Sequence, residues 1–247
     1  MPTVRLTLQY DGTEYVGWQR QANGVSIQGM LEDALRPIEG GPVAVHGAGR
    51  TDAGVHALGQ VASVTLSAKI DAVTLARALN AVLPHDVRVA SAEEAAPGFH
   101  ARFSAVAKTY EYRILNGPLV SPFLHRYVWH VSGRLNLDPM RAAADILTGR
   151  HDFAAFQAAG SAVVPTTRTV HSIEWEDGSV DRPLVLRITG DGFLRHMVRN
   201  IVGTLVEVGS GRWPPSQVGD VLASRDRTRA GPTAPARGLF LVSVAYE

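Results

Sequence analysis

The sequence contains no cysteine. Disulfides, thiolate nucleophiles and cysteine-ligated zinc or iron–sulfur centres are therefore excluded. Lysine is nearly absent too: Lys69 and Lys108 are the two in the chain, so 22 of its 24 Lys and Arg residues are Arg. Arginine forks suit phosphates and stack on bases, although coding composition alone can give the same bias. No apolar run approaches the roughly 20 residues that a membrane helix needs. The opening MPTVRLTLQYDG reads as a strand entering a turn, without the basic-then-apolar layout of a signal peptide. A cytoplasmic protein with no membrane partner is expected.

What is present is ordinary globular composition, 45% hydrophobic and 19% charged over 247 residues. That is enough for one large domain or two small ones. Net charge is +1, but its placement is uneven. Residues 1–105 carry 8 basic and 10 acidic side chains, and residues 106–247 carry 16 and 13. Such a balance neither demands nor forbids a nucleic-acid partner.

Val4, Leu6, Leu8 and Tyr10 alternate with polar residues and predict a strand, with Asp11-Gly12 as the turn after it. Ser26 can cap a helix to about Ile38, and Asp71 can cap a second. Strands are predicted at 43–46, 60–66, 87–90, 109–115, 167–174, 184–189 and 239–246. Helices are predicted from Asp138 through Leu147, over 193–208 and from Pro215 to Ala223. Each half reads as strands linked by turns with helices between them, which fits an α+β class with a largely antiparallel sheet. The seam falls at 101–107, giving halves 1–105 and 106–247.

The segment from His46 to Val61, HGAGRTDAGVHALGQV, is the most informative. Its glycines allow unusual dihedrals and close backbone approach. Set among them are Arg50, Thr51 and a lone Asp52. An Arg two residues from an Asp can hold the carboxylate ionised and oriented, ready to act as nucleophile or base. The same pair can equally do no more than pin a turn. A phosphate loop is a poor fit, because Gly-Lys-Ser/Thr and Gly-x-Gly-x-x-Gly are both missing. Asp52, His46 and His56 offer a thin set of metal ligands, with no second carboxylate nearby.

GRTDAGVHALGQVA resembles the signature of the TruA family of tRNA pseudouridine synthases. YDGTEYVGWQRQ (10–21), SIQGMLEDAL (26–35), FHARFSA (99–105), KTYEYRI (108–114), GRHDFAAF (149–156), FLRHMVRNIVG (193–203) and APARGLFL (234–241) resemble further family blocks, in family order. The resemblance implies the pseudouridine synthase fold: two similar α/β-sandwich, RRM-like halves joined into one largely antiparallel sheet with helices packed on it. It implies isomerisation of uridine to pseudouridine at positions 38, 39 and 40 of the tRNA anticodon stem-loop, by a homodimer, with no cofactor and no metal. Asp52 is then the catalytic carboxylate and Arg199 the basic residue that pairs with it. Tyr110 packs on the flipped base, Leu239 lines the uracil pocket, and Arg50 sits near the flipped nucleotide. The resemblance leaves open the role of Arg195. The run Arg225, Arg227, Arg229 offers a phosphate contact or a solvated loop. An RNA-binding module without catalysis, a metal-dependent hydrolase and a purely structural role for Asp52 are the competing readings.

Overall fold

Alternation at the start of the chain produces the first strand. In the computed structural model, which describes residues 2–247, β1 spans Thr3–Tyr10 and buries Val4, Leu6, Leu8 and Tyr10 on one face. There follow α1 (Ile27–Glu39), β2 (Val45–Gly47), β3 (His56–Thr65), α2 (Ala72–Val82), β4 (Val87–Glu94), β5 (Ala105–Asn116) and β6 (Trp129–Val131). The rest of the chain forms α3 (Leu137–Asp145), β7 (Gly149–Asp152), β8 (Thr167–Glu176), β9 (Leu184–Gly190), α4 (Met197–Gly209), α5 (Gln217–Ser224) and β10 (Leu239–Tyr246). No helix among the described residues is long and apolar enough to cross a membrane.

The chain divides into two units. One runs to Val106 and takes in Phe240–Glu247; the other is Ala107–Leu239. The final strand thus departs from the expected halves 1–105 and 106–247. It joins the first unit because Phe240 and Leu241 pair in parallel with His56 and Ala57 of β3.

In the first unit, β4 and β3 flank β1 antiparallel, and β2 pairs β3 on its other side. The order β4-β1-β3-β2 is that of a split βαβ unit. Ser26 opens α1: its Oγ accepts the Gly29 N–H at 3.2 Å, a contact type that contributes about 1 kcal/mol. Asp71 opens α2 the same way, accepting the Thr74 N–H at 2.9 Å. Ile27, Leu31 and Leu35 of α1 and Leu75 and Leu79 of α2 are fully buried, each contributing roughly 1.5–3 kcal/mol of transfer free energy.

The second unit also combines strands with helices, in the succession β5-β6-α3-β7-β8-β9-α4-α5. Its strands run β6-β5-β9-β8-β7, antiparallel except for the parallel β5–β6 pair. Tyr110, Tyr112 and Ile114 of β5 alternate inward, as do Leu184, Leu186 and Ile188 of β9. The α4 helix is buried along nearly its whole length. Both units are therefore α+β with largely antiparallel sheet.

Candidate active site

The loop between β2 and β3 is held from behind by the β1–α1 connection. The Trp18 N–H donates to the Thr51 carbonyl at 3.0 Å, and the Gly54 N–H donates to the Tyr15 carbonyl at 3.4 Å. These bonds grip the backbone on either side of Asp52. A tight turn joins them, closed by the Val55 N–H on the Asp52 carbonyl at 3.1 Å. Gly54 takes a φ of 76° within it, a conformation that glycine adopts freely. Gly17 lies against the same stretch with a φ of 105°; a Cβ there would stand 2.6 Å from the Thr51 carbonyl oxygen.

Beneath the loop is a buried polar chain that the sequence does not announce. Gln60 is fully buried, and its Nε2 donates to the Gly49 carbonyl at 2.9 Å and to the Tyr10 hydroxyl at 3.4 Å. The Tyr10 and Thr51 hydroxyls are 2.9 Å apart. Either hydroxyl can be the donor of that contact. Burial pushes the Tyr10 phenol up to about 12, against smaller opposing contributions from Thr51 and Gln60. The hydroxyl therefore stays protonated near neutral pH. Thr51 is turned inward, while Asp52 beside it is half-buried and Arg50 is exposed.

Arg50 stays at the surface, and the bonds that fix this loop join Gln60 to Gly49 and Tyr10 to Thr51. The two histidines go separate ways. His46 packs against His100 with the rings tilted by 31° and their centroids 4.8 Å apart. His56 is buried, accepts the Gly12 N–H at its Nδ1, faces the Asp11 carboxylate at 3.1 Å and stacks on Phe240. The proposed ligand set of Asp52, His46 and His56 is thus not assembled. No group of three or more ligating side chains that could hold a metal occurs among the described residues.

The second unit carries Tyr110, Arg199 and Leu239. Tyr110 is 7% exposed on β5 and meets Phe193 edge-on at 5.2 Å. Arg199 lies in the first turn of α4. Its Nε donates to the Ala234 carbonyl at 2.7 Å, and the Ala234 N–H donates back to the Arg199 carbonyl at 3.1 Å. Tyr112 secures the next residue, its hydroxyl donating to the Pro235 carbonyl at 2.7 Å. Leu239 is buried at the start of β10. The helix expected from Phe193 begins at Met197, because His196 adopts a left-handed φ of 62°.

A further buried hub is Asn200. Its Nδ2 donates to the Phe156 carbonyl, and its Oδ1 accepts from Arg227 and from the Thr233 hydroxyl. The signal in the sequence was a polar residue on an otherwise apolar helix. Tyr10, Thr51 and Gln60 gave no comparable signal, since each fits a strand or loop without a special role.

A family model described as tRNA pseudouridine synthase matches residues 7–104 and 143–247. Asp52 and Arg50 lie in the first stretch, Arg199 and Leu239 in the second, and Tyr110 between the two. The chain is 48% identical over 246 residues to tRNA pseudouridine synthase A of Syntrophotalea carbinolica, covering 100% of this chain and 97% of the relative. It is 47% identical to the protein of the same name from Geobacter sulfurreducens, with 100% of both chains covered. The counterpart from Myxococcus xanthus is 48% identical, covered over 93% of its length and 100% of this chain.

Proposed function

The chain belongs to the tRNA pseudouridine synthase family, and from that premise we propose that it isomerises uridine to pseudouridine at positions 38, 39 and 40 of the tRNA anticodon stem-loop, with Asp52 as the catalytic carboxylate. The observation that carries this reading is the double grip on the Asp52 backbone by Trp18 and Tyr15, backed by the Tyr10–Thr51 contact. A carboxylate on such a turn keeps its position without reorganising during reaction, which is where positioned groups gain most.

The reaction is an internal rearrangement. The bond from N1 to C1′ breaks, the uracil turns, and a bond from C5 to C1′ forms. C5 gives up its hydrogen as a proton, and N1 ends protonated. Nothing is oxidised or hydrolysed, so the balance needs no cofactor. Asp52 serves either by attacking C1′, by attacking C6 of the base, or by taking the C2′ proton. All three need an ionised carboxylate beside the nucleoside. The base lies inside a stacked stem, so it must be extruded first, at a cost of a few kcal/mol. Tyr110 is assigned to stacking on the extruded base, a contact type that contributes about 1–3 kcal/mol. Arg199 is assigned as the cation that favours ionised Asp52, Leu239 as an apolar wall for uracil, and Arg50 as a contact to the displaced nucleotide. The assembly assigned to this work is a homodimer in the cytoplasm.

The test uses purified protein, EDTA and a tRNA transcript tritiated at uridine C5. Release of tritium to water by wild type, and none by Asp52→Asn of equal melting temperature, is the expected result. Mapping the product to positions 38–40 then checks the site on the RNA. Tight tRNA binding with no release by well-folded wild type would overturn the reading and leave a binding module.

A further inference from the structure

The arginines of the 225–229 run have three different fates. Arg225 is spoken for, with its Nε 3.0 Å from the Asp152 carboxylate. Arg229 is exposed beside Asp226, whose carboxyl it helps to hold low after the larger effect of Thr228. Arg227 alone of the three lines a cavity of 410 Å3 in the second unit. Arg195, His196, Thr228 and Thr233 share the wall with it. That volume is within the roughly 300–1,000 Å3 usual for ligand sites.

The charge on this wall is unbalanced. Arg227 donates from Nη2 to Asn200 Oδ1 and Thr233 Oγ1, each at 3.0 Å, and from Nη1 to the Ala230 carbonyl at 3.3 Å. All three acceptors are neutral. Among the described residues, neither Arg227 nor Arg195 has a carboxylate within ion-pair distance, and no acidic residue lines the cavity. Partial burial pushes the Arg227 guanidinium below its ordinary value, as it must where a cation loses water without gaining an anion. Asn200 is fully buried and bonded on its other side to Phe156, so the fork of Arg227 is fixed before any ligand arrives. The Arg227 bonds take both Nη2 hydrogens and one on Nη1, which leaves the Nε hydrogen and the second on Nη1 for a tetrahedral oxyanion, on a group that loses little freedom in meeting it. Arg195, which also lines the cavity, is exposed and adds a second charge.

We propose that this cavity is a phosphate site, in which Arg195 and Arg227 together hold one backbone phosphodiester of the RNA substrate. The proposal rests on the tRNA reading above for the identity of the ligand. It separates the arginine run into one residue that contacts RNA, one that braces the fold through Asp152, and one at the surface.

The experiment is tRNA binding across a sodium chloride series, by wild type, Arg195→Gln, Arg227→Lys and Arg225→Gln, each with a melting curve. Losing one phosphate contact should reduce the slope of log K against log salt by about 0.7–0.9. Arg195→Gln is expected to do so, with affinity reduced about tenfold at low salt and by less at high salt. Arg227→Lys keeps the charge and loses the fixed guanidinium with its bonds to Asn200 and Thr233, so the slope should hold while affinity falls at every salt concentration. Arg225→Gln should keep the wild-type slope. Millimolar sulfate should compete with RNA on wild type and compete less on Arg195→Gln. Unchanged slope and affinity for Arg195→Gln and Arg227→Lys, at wild-type melting temperature, would overturn the site. C5-tritium release by wild type on the same RNA keeps the two readings apart. Release with unchanged slopes removes the cavity proposal alone. Binding without release removes the synthase reading and leaves the slopes to decide the cavity. No binding of tRNA by wild type removes both.

Discussion

The Tyr10 and Thr51 hydroxyls meet at 2.9 Å in the interior of the first unit, one residue from Asp52 along the chain. This contact ties the last buried residue of β1 to the residue that precedes the proposed catalytic carboxylate. Tyr10→Phe removes the bond and keeps the ring. The Gln60 Nε2 retains its bond to Gly49 but loses its longer one to the Tyr10 hydroxyl, so the loss is two neutral hydrogen bonds, about 2 kcal/mol. For a chain of this length that lowers the melting temperature by about 4–8 °C. Activity should fall further than stability, by tenfold or more, because small misplacements of a reacting group are costly, up to about 100-fold for 1 Å. C5-tritium release at saturating tRNA checks this. Full activity in Tyr10→Phe would show that Thr51 holds Asp52 without help.

Gly17→Ala tests the same loop from outside. The φ of 105° is outside the range that a side chain adopts comfortably, and a Cβ would meet the Thr51 carbonyl oxygen at 2.6 Å and the Asp52 carbonyl carbon at 3.0 Å. Backbone strain of this kind costs on the order of 1–3 kcal/mol. The expected outcome is a lower melting temperature together with loss of tritium release. Gly41→Ala is the control, since nothing lies within 4 Å of its Cβ position and its φ is not in the left-handed range. A Gly17→Ala protein as active as the Gly41→Ala control would argue against a rigid loop.

Where burial follows from period and caps, the sequence predicted the elements well. Val4 to Tyr10 form β1, and Ser26 and Asp71 cap α1 and α2 as their positions suggest. The misses have local causes. The strand expected from Gln60 begins at His56, because buried His56 and Ala57 pair with the far end of the chain, a partner that no window around them can show. The short strands β6 and β7 escape because three or four residues carry no readable alternation. The site was legible through family blocks more than through physics. Asp52 stands out in a glycine-rich loop, but the grip of Trp18 and Tyr15 joins residues more than thirty apart in sequence. The Tyr10–Thr51–Gln60 chain likewise depends on three separate segments meeting.

Asp152 gives the second unit an acid-sensitive joint. Its Oδ1 accepts the Thr166 hydroxyl at 2.6 Å and the Ala154 N–H at 3.1 Å, and its Oδ2 is 3.0 Å from Arg225. The Thr166 bond is the largest cause of a lowered carboxyl pKa, opposed in part by burial and aided by Ala154 and Arg225. A carboxyl whose folded pKa is below its unfolded value binds fewer protons when folded. Its stabilising contribution is then complete above the unfolded value, near pH 3.8–3.9, and is lost as pH falls through the folded value. Asp152→Asn should melt below wild type at pH 7, and the difference should shrink from pH 4 downward. Melting curves from pH 7 to pH 2.5 decide it. Parallel curves over that range would mean that Asp152 titrates alike in both states.

Tyr110 separates stacking from proton transfer. The ring is packed edge-on against Phe193 and only 7% exposed, so an apolar ring of the same shape fits without a cavity. Tyr110→Phe should bind tRNA within about twofold of wild type, since every base offers a face to an aromatic ring whatever its substituent. Tyr110→Ala removes the ring. With a stacking contribution of about 1–3 kcal/mol, affinity should fall roughly 5- to 150-fold. Filter binding measures these two. Tritium release at saturating tRNA then separates the roles. A Tyr110→Phe protein that binds normally and turns over slowly places the phenol hydroxyl in the proton transfers of the isomerisation. One that turns over at the wild-type rate confines Tyr110 to stacking, and leaves the C5 proton to another base.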